Sequence, residues 1–296
     1  MKSNLAESEL MYSGHTGCPG CGATIAMRFF LKALGHETMM VIPACCWTVI
    51  AGPYPQSTLQ VPIIHTAFET GAAVASGVRA ALDIKGDTKT TVVTWAGDGG
   101  TFDIGFQALS GAVERNEDII YVCYDNEAYM NTGVQRSSST PYGAWTSTTP
   151  GNAWKKIAKK NIMEIMAAHR IPYTATASIA FPEDLVKKVE KAKHIKGTRF
   201  LHIFASCPTG WQIPSEMSIK IARLAVQTNI FPLYEVEDGV RYTINYMPKR
   251  YLVNEYFRPQ GRFKHLTDED LQVIQGMVNE NWELLLRKAN NTKGVI

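Results

Sequence analysis

The stretch from residue 90 to residue 133 constrains the fold more strongly than any other part of the chain. Thr90 to Trp95 is a short β-branched and aromatic run, a composition that predicts a buried strand. Apolar residues at helical spacing follow from Phe102 to Val113, and Ile119 to Tyr124 forms a second strand-like apolar run. Strand, helix and strand in this order predict a βαβ unit. The prediction for the whole chain is therefore an α/β fold with a doubly wound, mostly parallel sheet.

Polar sequences follow both predicted strands. Gly97-Asp98-Gly99-Gly100 follows the first, and its glycines let the backbone approach a phosphate closely. Asp98 is a hard oxygen ligand suited to Mg²⁺, and Asn126 offers a second oxygen at the end of the neighbouring strand. The alternative is an ordinary turn at GDG with Asn126 as a loop cap. The order of strand, helix, strand and Asn126 favours a diphosphate and metal site over that alternative.

Composition and charge limit the class of protein. Of 296 residues, 45% are hydrophobic and 19% charged, as in ordinary globular proteins. The net charge of +3 is small and no Lys/Arg-rich run occurs, so nucleic acid is not an expected partner. No apolar stretch reaches membrane-spanning length, and Met1 to Leu10 is too polar for a signal peptide. Six cysteines without a secretion signal indicate a reducing compartment, and we expect a cytoplasmic protein.

Cys18 and Cys21 form a CxxC motif in a glycine-rich turn, just before a helix predicted from Ala23 to Leu34. The start of a helix lowers the pKa of a thiol and so suits a thiolate ligand. Half of a zinc site, a redox dithiol and part of an iron–sulfur site all contain this motif. The motif alone leaves these three interpretations open.

Further cysteines follow predicted strands. Cys45 and Cys46 follow one strand, and Cys207 follows a later one. Because the carboxyl ends of parallel strands meet at one edge of a sheet, these cysteines can meet the CxxC motif there. Cys123 lies inside a predicted strand and is expected to pack in the core.

The alternation of strands and helices continues to about residue 210, and we predict one α/β domain over residues 1–210. A loop rich in Ser, Thr, Pro and Gly at 135–152 is too long for a simple connection and is typical of a lid or a partner surface. A helix with a solvated basic face is expected from Lys155 to His169.

Residues 211–296 depart from this alternation and are predicted to form a C-terminal extension that packs on the domain and on partner subunits. The expected elements are a hairpin turning at Asp238-Gly239, an extended arm from Asn254 to Phe263, and a final helix from Thr267 to Leu286 with Thr267 as its N-cap.

The central stretch resembles a known family. GDG followed about 27 residues later by Asn is the pattern of thiamine diphosphate enzymes, and GDGGTFDIGFQAL…YDNEAYMNTGVQ is similar to the β subunit of 2-oxoacid:ferredoxin oxidoreductases of the pyruvate synthase type. The resemblance covers most of residues 12–250. It implies a thiamine diphosphate-binding fold and oxidative decarboxylation of a 2-oxoacid to acyl-CoA, with electrons passed to ferredoxin. Pyruvate is the favoured substrate, with branched-chain oxoacids and oxalate as alternatives.

The same resemblance implies three cofactors, namely thiamine diphosphate, Mg²⁺ and a [4Fe–4S] cluster. The cluster ligands implied are Cys18, Cys21, Cys46 and Cys207. The Mg²⁺ ligands implied are Asp98, Asn126 and the Ala128 carbonyl. The residues implied around thiamine diphosphate are Cys46, Gly97, Asp98, Gly99, Gly100, Asn126, Glu127, Ala128, Tyr129, Met130 and Asn131. Asn131 is also implied as the catalytic residue that touches the substrate. Cys45 stands where the family commonly has glycine, so the resemblance leaves open which of Cys45 and Cys46 is the cluster ligand. Ala23 stands where the family often has a carboxylate, which puts a cofactor contact there in doubt.

The resemblance further implies an assembly of several subunits. An α subunit would supply the glutamate on the pyrimidine side of thiamine, and ferredoxin-like γ and δ subunits or domains would carry further clusters. Ferredoxin, a 2-oxoacid and coenzyme A would be the reaction partners. The chain has one diphosphate-type unit and no C-x₂-C-x₂-C-x₃-C run, so we expect no activity from it alone. The rival interpretation is a zinc-stabilised, non-catalytic assembly subunit with redox-silent cysteines.

Overall fold

The structure, a computed structural model, describes residues 8–150, 153–249 and 251–293. Its strands are β1 (Thr38–Pro43), β2 (Ile63–Thr66), β3 (Thr91–Gly97), β4 (Ile119–Asp125), β5 (Tyr173–Ser178), β6 (Arg199–Phe204), β7 (Tyr234–Glu237) and β8 (Arg241–Ile244). They form one sheet in the order β2-β1-β3-β4-β6-β5-β7-β8. The first six strands pair in parallel, whereas β7 and β8 pair antiparallel. The prediction of a mostly parallel sheet is confirmed.

Helices cover both faces of this sheet. They are α1 (Gly22–Leu34), α2 (Cys46–Ala51), α3 (Gly71–Ile84), α4 (Phe106–Glu114), α5 (Ile162–Ala168), α6 (Pro182–His194), α7 (Pro208–Trp211), α8 (Ser218–Gln227), α9 (Asn254–Phe257) and α10 (Asp268–Lys293). A π-helical turn at Gly100–Ile104 precedes α4. No helix in the described part of the chain is both long and apolar enough to cross a bilayer.

Two apolar cores lie on opposite faces of the sheet, as a doubly wound fold requires. Side chains of β4 alternate between them: Val122 and Tyr124 pack with α1, α6 and α8, whereas Tyr121 and Cys123 pack with α3, α4 and α5. All residues of β4 are buried. A strand covered on both faces is apolar almost throughout, which explains why Ile119 to Tyr124 has a continuous rather than alternating apolar pattern. The expected core position of Cys123 is confirmed.

The direction of the chain through the sheet reverses at β1. The chain passes from β1 outward to β2 and then returns to β3, on the other side of β1. Loops at such a reversal diverge and leave a crevice outside the carboxyl ends of the strands, where ligands bind in open α/β sheets. The loops that begin at Ala44, Asp98 and Asn126 all leave this edge.

The C-terminal hairpin forms as predicted, and the final helix begins as predicted but continues to Lys293, beyond the expected end at Leu286. Asp238 and Gly239 have φ values of 51° and 71°, which suits the tight turn between β7 and β8. The hydroxyl of Thr267 accepts a hydrogen bond from the Asp270 N–H at 3.2 Å and caps α10. Because β7 pairs with β5, residues from the predicted extension continue the same sheet. The domain division at residue 210 stays a prediction.

The predicted helix from Lys155 to His169 is wrong over its first half. Helix α5 begins only at Ile162, and the segment before it is irregular. Its basic residues do not share one solvated face: Lys156 is exposed, whereas Lys155 is only 3% exposed and donates to the Ser138 carbonyl at 3.2 Å. The buried lysines satisfy acceptors that lie far away in sequence, which helical spacing alone does not reveal.

The predicted extended arm from Asn254 to Phe263 is also wrong. It contains α9 and a 3₁₀ turn at Gly261–Phe263. Tyr256, Phe257 and Phe263 are buried, and the rings of Phe257 and Phe263 lie 4.4 Å apart. Burial of these rings against each other favours a compact turn over an extended chain. The predictions that fall on residues 1–7 and 151–152 lie outside the described residues.

Candidate functional site

A cavity of about 160 Å³ opens at the carboxyl ends of β1, β3 and β4. It is lined by Ala44, Cys45, Cys46, Phe68, Gly97, Asp98, Gly99, Gly100, Tyr124, Asn126, Ala128, Tyr129, Met130, Asn131 and Thr132. Every residue predicted to surround thiamine diphosphate is in this set except Glu127. The sequence did not point to Phe68, which lies in the loop after β2 and resembles a helix-starting residue when the sequence is considered alone.

Three oxygen-bearing groups meet in the cavity. In the orientation that satisfies its hydrogen bonds, the Asn126 amide nitrogen donates to Asp98 Oδ1 and to the Ala128 carbonyl, both at 3.0 Å. Turning the amide over exchanges nitrogen for oxygen. The group then offers a carboxylate, a carboxamide oxygen and a backbone carbonyl, which are the ligand types that Mg²⁺ prefers. The donor set therefore fits a hard divalent cation.

The surroundings of Asp98 also favour a cation. The carboxylate is 1% exposed and accepts a hydrogen bond from the Ser137 hydroxyl. Burial, and then the negative charge of Asp125, raises the pKa of Asp98 well above its usual range. A cation in the cavity would therefore stabilise the ionised form of Asp98.

A helix begins at the same place. Helical geometry starts at Asp98, and the first N–H groups of a helix have no partners within it, which makes them an anion site. The Tyr129 ring covers this turn and donates its hydroxyl hydrogen to Asp103 Oδ2 at 2.8 Å. A Cβ atom on Gly99 would lie 2.3 Å from Tyr129 Cε1, so only glycine fits under the ring. The helix start is thus open to a phosphate and closed to a side chain at residue 99.

Glu127 lies behind the cavity and does not line it. Its carboxylate is 1% exposed and pairs with Lys159 at 3.1 Å and with Arg262 at 2.6 Å. Lys159 also pairs with Asp125 at 2.6 Å. Two carboxylates and two bases therefore form a buried chain in the order Asp125–Lys159–Glu127–Arg262. Sequence reasoning missed both bases, because neither lies near a recognisable motif.

Neighbouring groups set the protonation of Asp125 and of the adjacent His202. Burial alone would raise the pKa of Asp125, but Lys159 and His202 beside it hold that pKa well below its usual range. Burial lowers the pKa of His202, whose Nε2 lies 2.7 Å from Asp125 Oδ2. A neutral imidazole donates to an ionised carboxylate in this arrangement.

The CxxC loop is held against the segment that contains Cys207. Gly22 N donates to the Ser206 carbonyl at 2.9 Å, and the Ser218 hydroxyl donates to the Gly20 carbonyl at 2.6 Å. Burial raises the pKa of the Cys207 thiol to about 11, and Cys21 and Cys18 oppose its ionisation further. The first and last of the predicted cluster cysteines therefore lie together at the carboxyl edge of the sheet.

The adjacent cysteines Cys45 and Cys46 point to different neighbours. Cys45 is the N-cap of α2, its N–H donates to the Thr48 hydroxyl at 3.1 Å, and its side chain lies against Tyr124. Burial raises the pKa of Cys46, and the nearby thiols of Cys45, Cys207 and Cys21 raise it further. Of the two, Cys46 is the one placed among the other predicted cluster cysteines.

In the described ranges, no three His, Cys, Asp or Glu side chains converge closely enough to share one metal ion. A single structural zinc ion needs four such ligands in a tight tetrahedron. A [4Fe–4S] cluster is held by one thiolate on each of four iron atoms, so its ligands surround a larger object. The described cysteines therefore do not form a preassembled tetrahedral zinc site.

Comparison with known proteins defines the class first. Residues 44–203 match the family described as thiamine pyrophosphate enzyme, C-terminal TPP binding domain. A solved 2-oxoglutarate:ferredoxin oxidoreductase from Magnetococcus marinus shares the fold, with a TM-score of 0.59 and 22% identity over 75% of this chain and 82% of that chain. The fold and the cavity are those of a thiamine diphosphate-binding domain.

Curated relatives define the family. Ketoisovalerate oxidoreductase subunit VorB of Pyrococcus furiosus is 55% identical over 292 residues, which cover 95% of this chain and 94% of the relative. Pyruvate synthase subunit PorB of Methanocaldococcus jannaschii is 51% identical over 290 residues, covering 94% and 96%. The chain belongs to the family of β subunits of 2-oxoacid:ferredoxin oxidoreductases, and the predicted resemblance is confirmed.

Replacing Gly99 with alanine should destabilise the protein by about 1–3 kcal/mol, because the new methyl group displaces the Tyr129 ring and its bond to Asp103. Urea denaturation of the metal-free protein measures this loss. Gly77→Ala is the control, since a Cβ atom there meets nothing within 4 Å in helix α3. That control should stabilise the protein by about 0.5–1 kcal/mol. Equal stability of both variants would contradict the close packing of Tyr129 over Gly99.

Proposed function

We propose that this chain is the subunit at which a 2-oxoacid is oxidatively decarboxylated, with the acyl group passed to coenzyme A and electrons passed to ferredoxin. The observation that carries the proposal is the meeting of Asp98, Asn126 and the Ala128 carbonyl in a cavity that Cys46 also lines. The names of the relatives, pyruvate synthase and ketoisovalerate oxidoreductase subunits, support the same reaction type.

The chain's own residues fit the expected cofactors. Gly97 to Gly100 would bind the diphosphate through backbone N–H groups at the helix start. Asp98, Asn126 and the Ala128 carbonyl would hold Mg²⁺ between the protein and the diphosphate. When bound, thiamine diphosphate supplies the carbanion chemistry that cleaves 2-oxoacids, and an iron–sulfur cluster accepts electrons one at a time.

Asn131 lies at the open side of the cavity and is the candidate catalytic residue. Its side chain is exposed, beside Thr132, whereas Tyr129 and Met130 close the inner wall. A carboxamide both donates and accepts hydrogen bonds, so Asn131 can hold a substrate carboxylate or keto oxygen in place. Met130 and Phe68 give the cavity apolar walls that exclude water from the reacting centre.

Cys18, Cys21, Cys46 and Cys207 would hold the [4Fe–4S] cluster. The hydrogen bonds between the CxxC loop and the segment around Ser206 support this assignment, as does the proximity of Cys46 to Cys21 and Cys207. Cys46 also lines the cavity, so a cluster on it would lie next to the bound cofactor. Electrons would then have a short path out of the reacting centre.

We further propose that the chain works with partner subunits in the cytoplasm. An α subunit would supply the glutamate on the pyrimidine side, and ferredoxin-like γ and δ subunits would carry electrons onward to ferredoxin. Pyruvate is the first substrate candidate. A branched-chain 2-oxoacid is the second, favoured by the 55% identity to the ketoisovalerate oxidoreductase subunit.

Replacing Asp98 with asparagine should weaken Mg²⁺-dependent binding of thiamine diphosphate at least about tenfold, because the change removes the carboxylate from the predicted metal site. Isothermal titration measures the dissociation constant, and iron content shows whether the cluster is kept. Asp83→Asn, at a largely exposed carboxylate paired with Arg79, is the control and should bind as the unaltered chain does. Stoichiometric retention of thiamine diphosphate by the Asp98 variant would refute the assignment.

Replacing Cys207 with alanine should remove or degrade the cluster and bleach its visible absorption. Cys123→Ala is the matched control, since Cys123 is buried in β4 and should leave iron content unchanged. Separate alanine variants of Cys45 and Cys46 should lose the cluster only for Cys46. Full iron and colour in the Cys207 variant, in protein prepared without oxygen, would disprove its role as a ligand.

The reaction itself is tested by reduction of a viologen dye with thiamine diphosphate, Mg²⁺ and coenzyme A. The complete complex should reduce the dye with pyruvate at the highest kcat/KM, whereas the isolated chain with its cluster should be inactive. Faster turnover of 2-ketoisovalerate would select the branched-chain alternative. No reduction with pyruvate, a branched-chain oxoacid or oxalate would overturn the proposed function.

A further inference from the structure

A side chain from near the C-terminus reaches the back of the cation site. Arg262 lies in the 3₁₀ turn Gly261–Phe263 and is 2% exposed. Its guanidinium donates to Glu127 Oε2 at 2.6 Å and also to the Tyr256 hydroxyl at 3.0 Å and to Gln260 Oε1 at 3.0 Å. Several fixed partners hold the guanidinium in one orientation.

Arg262 acts together with Trp211. The centre of the guanidinium lies 4.1 Å from the Trp211 ring, a stacked cation–π contact. The indole N–H of Trp211 in turn donates to the backbone carbonyl of Asn126 at 2.8 Å. Two stacked side chains therefore hold two successive residues, Trp211 the carbonyl of Asn126 and Arg262 the carboxylate of Glu127.

The segment that they hold has a backbone that needs support. Glu127 has a φ of 69°, a left-handed conformation that a residue with a side chain rarely adopts. Its N–H donates to Asp125 Oδ1 at 2.9 Å, and its carbonyl accepts from the Thr140 hydroxyl at 2.7 Å. This conformation turns the chain between Asn126 and Ala128, whose oxygens both belong to the cation site.

Arg262 is one of two bases paired with the Glu127 carboxylate. Without Arg262, Lys159 would be the remaining base paired with Glu127, and Lys159 is already shared with Asp125. A buried carboxylate that has lost one of its two paired bases moves toward water or toward another cation. Either movement would turn the peptide groups on both sides of Glu127.

We propose that Arg262, stacked on Trp211, is a positioning residue that sets the directions of the Asn126 side chain and the Ala128 carbonyl toward the cation. Arg262 acts through Glu127 and does not line the cavity. The inference rests on the proposed function in taking Mg²⁺ with thiamine diphosphate as the ligand of this site. It assigns a role in the cofactor site to a residue 135 positions away from Glu127 in sequence.

The test measures the Mg²⁺ dissociation constant by isothermal titration of the complete complex with saturating thiamine diphosphate. Arg262→Gln should weaken Mg²⁺ binding about tenfold or more, the effect typical of a residue that orients metal ligands. Arg262→Lys keeps the positive charge but loses the planar guanidinium that packs on Trp211. Its Mg²⁺ affinity should therefore lie between those of the unaltered protein and the glutamine variant.

Arg199→Gln is the matched control. Arg199 is equally buried and pairs with Asp118, but it lies at the amino end of β6, at the opposite edge of the sheet. The control should lower the unfolding midpoint by a similar amount and keep Mg²⁺ affinity within about twofold, because distant sites do not couple.

Unchanged Mg²⁺ affinity in a folded Arg262→Gln variant would overturn this inference and leave the proposed function intact. An equal loss of affinity in the Arg199 control would do the same. If the Arg262→Gln variant does not fold, the Arg262→Lys variant is the test. A Mg²⁺ affinity of the lysine variant equal to that of the unaltered protein would then overturn the inference. If the complex containing the unaltered chain binds no Mg²⁺ with thiamine diphosphate, the proposed function fails and this inference fails with it.

Discussion

Parallel pairing of β1, β3, β4 and β6 is the constraint on which the rest of the structure depends. The registers Val41 with Thr94, Gly97 with Tyr124, and Asp125 with Phe204 bring the carboxyl ends of these strands to one edge. Parallel neighbours run in the same direction, so each must send its following loop to that edge. The adjacent cysteines, the glycine-rich turn, the Asn126 segment and Cys207 share one edge for this reason.

Charge at this edge is balanced in two ways. Asp125 and Glu127 are neutralised inside the protein by Lys159 and Arg262, whereas the side-chain donors to Asp98 are the neutral Ser137 hydroxyl and Asn126 amide. Removing one partner from a buried pair typically costs about 3–5 kcal/mol, so the internal pairs are rigid parts of the fold. Under the proposed function, Asp98 is left to compensate the charge of a bound cation. Structural carboxylates and a cation-binding one would then lie within 30 residues of sequence.

The sequence predicted the elements whose burial pattern is local. The strands at Thr90 to Trp95 and Ile119 to Tyr124 are continuous apolar runs bounded by turns, and the structure has β3 and β4 there. The glycine-rich turn and Asn126 were found because they directly follow those strands, whereas Glu127 to Asn131 were named through the family resemblance. Glu127 faces the other way, although its neighbours line the cavity, because its left-handed φ reverses the chain for one residue.

What the sequence did not predict depends on contacts between distant segments. Lys155 and Lys159 have the spacing of an exposed basic face, yet they are drawn inward by carbonyl and carboxylate groups of earlier loops. The segment around Tyr256 and Phe263 lacks helical periodicity and is folded by the packing of its own aromatic rings. No sequence motif marks Arg262, because its role depends on its contacts with Glu127 and Trp211.

The hydrogen bonds that complete the site span long stretches of chain: 85 residues between Trp211 and Asn126, 135 between Arg262 and Glu127, and 198 between Ser218 and Gly20. Contacts of such high sequence separation form late, because each must first close a long loop. On a ribosome, the CxxC loop and the glycine-rich turn emerge long before the segments that complete their surroundings. The segments around Trp211 and Arg262 must therefore be synthesised before the surroundings of Asn126 and Glu127 are complete.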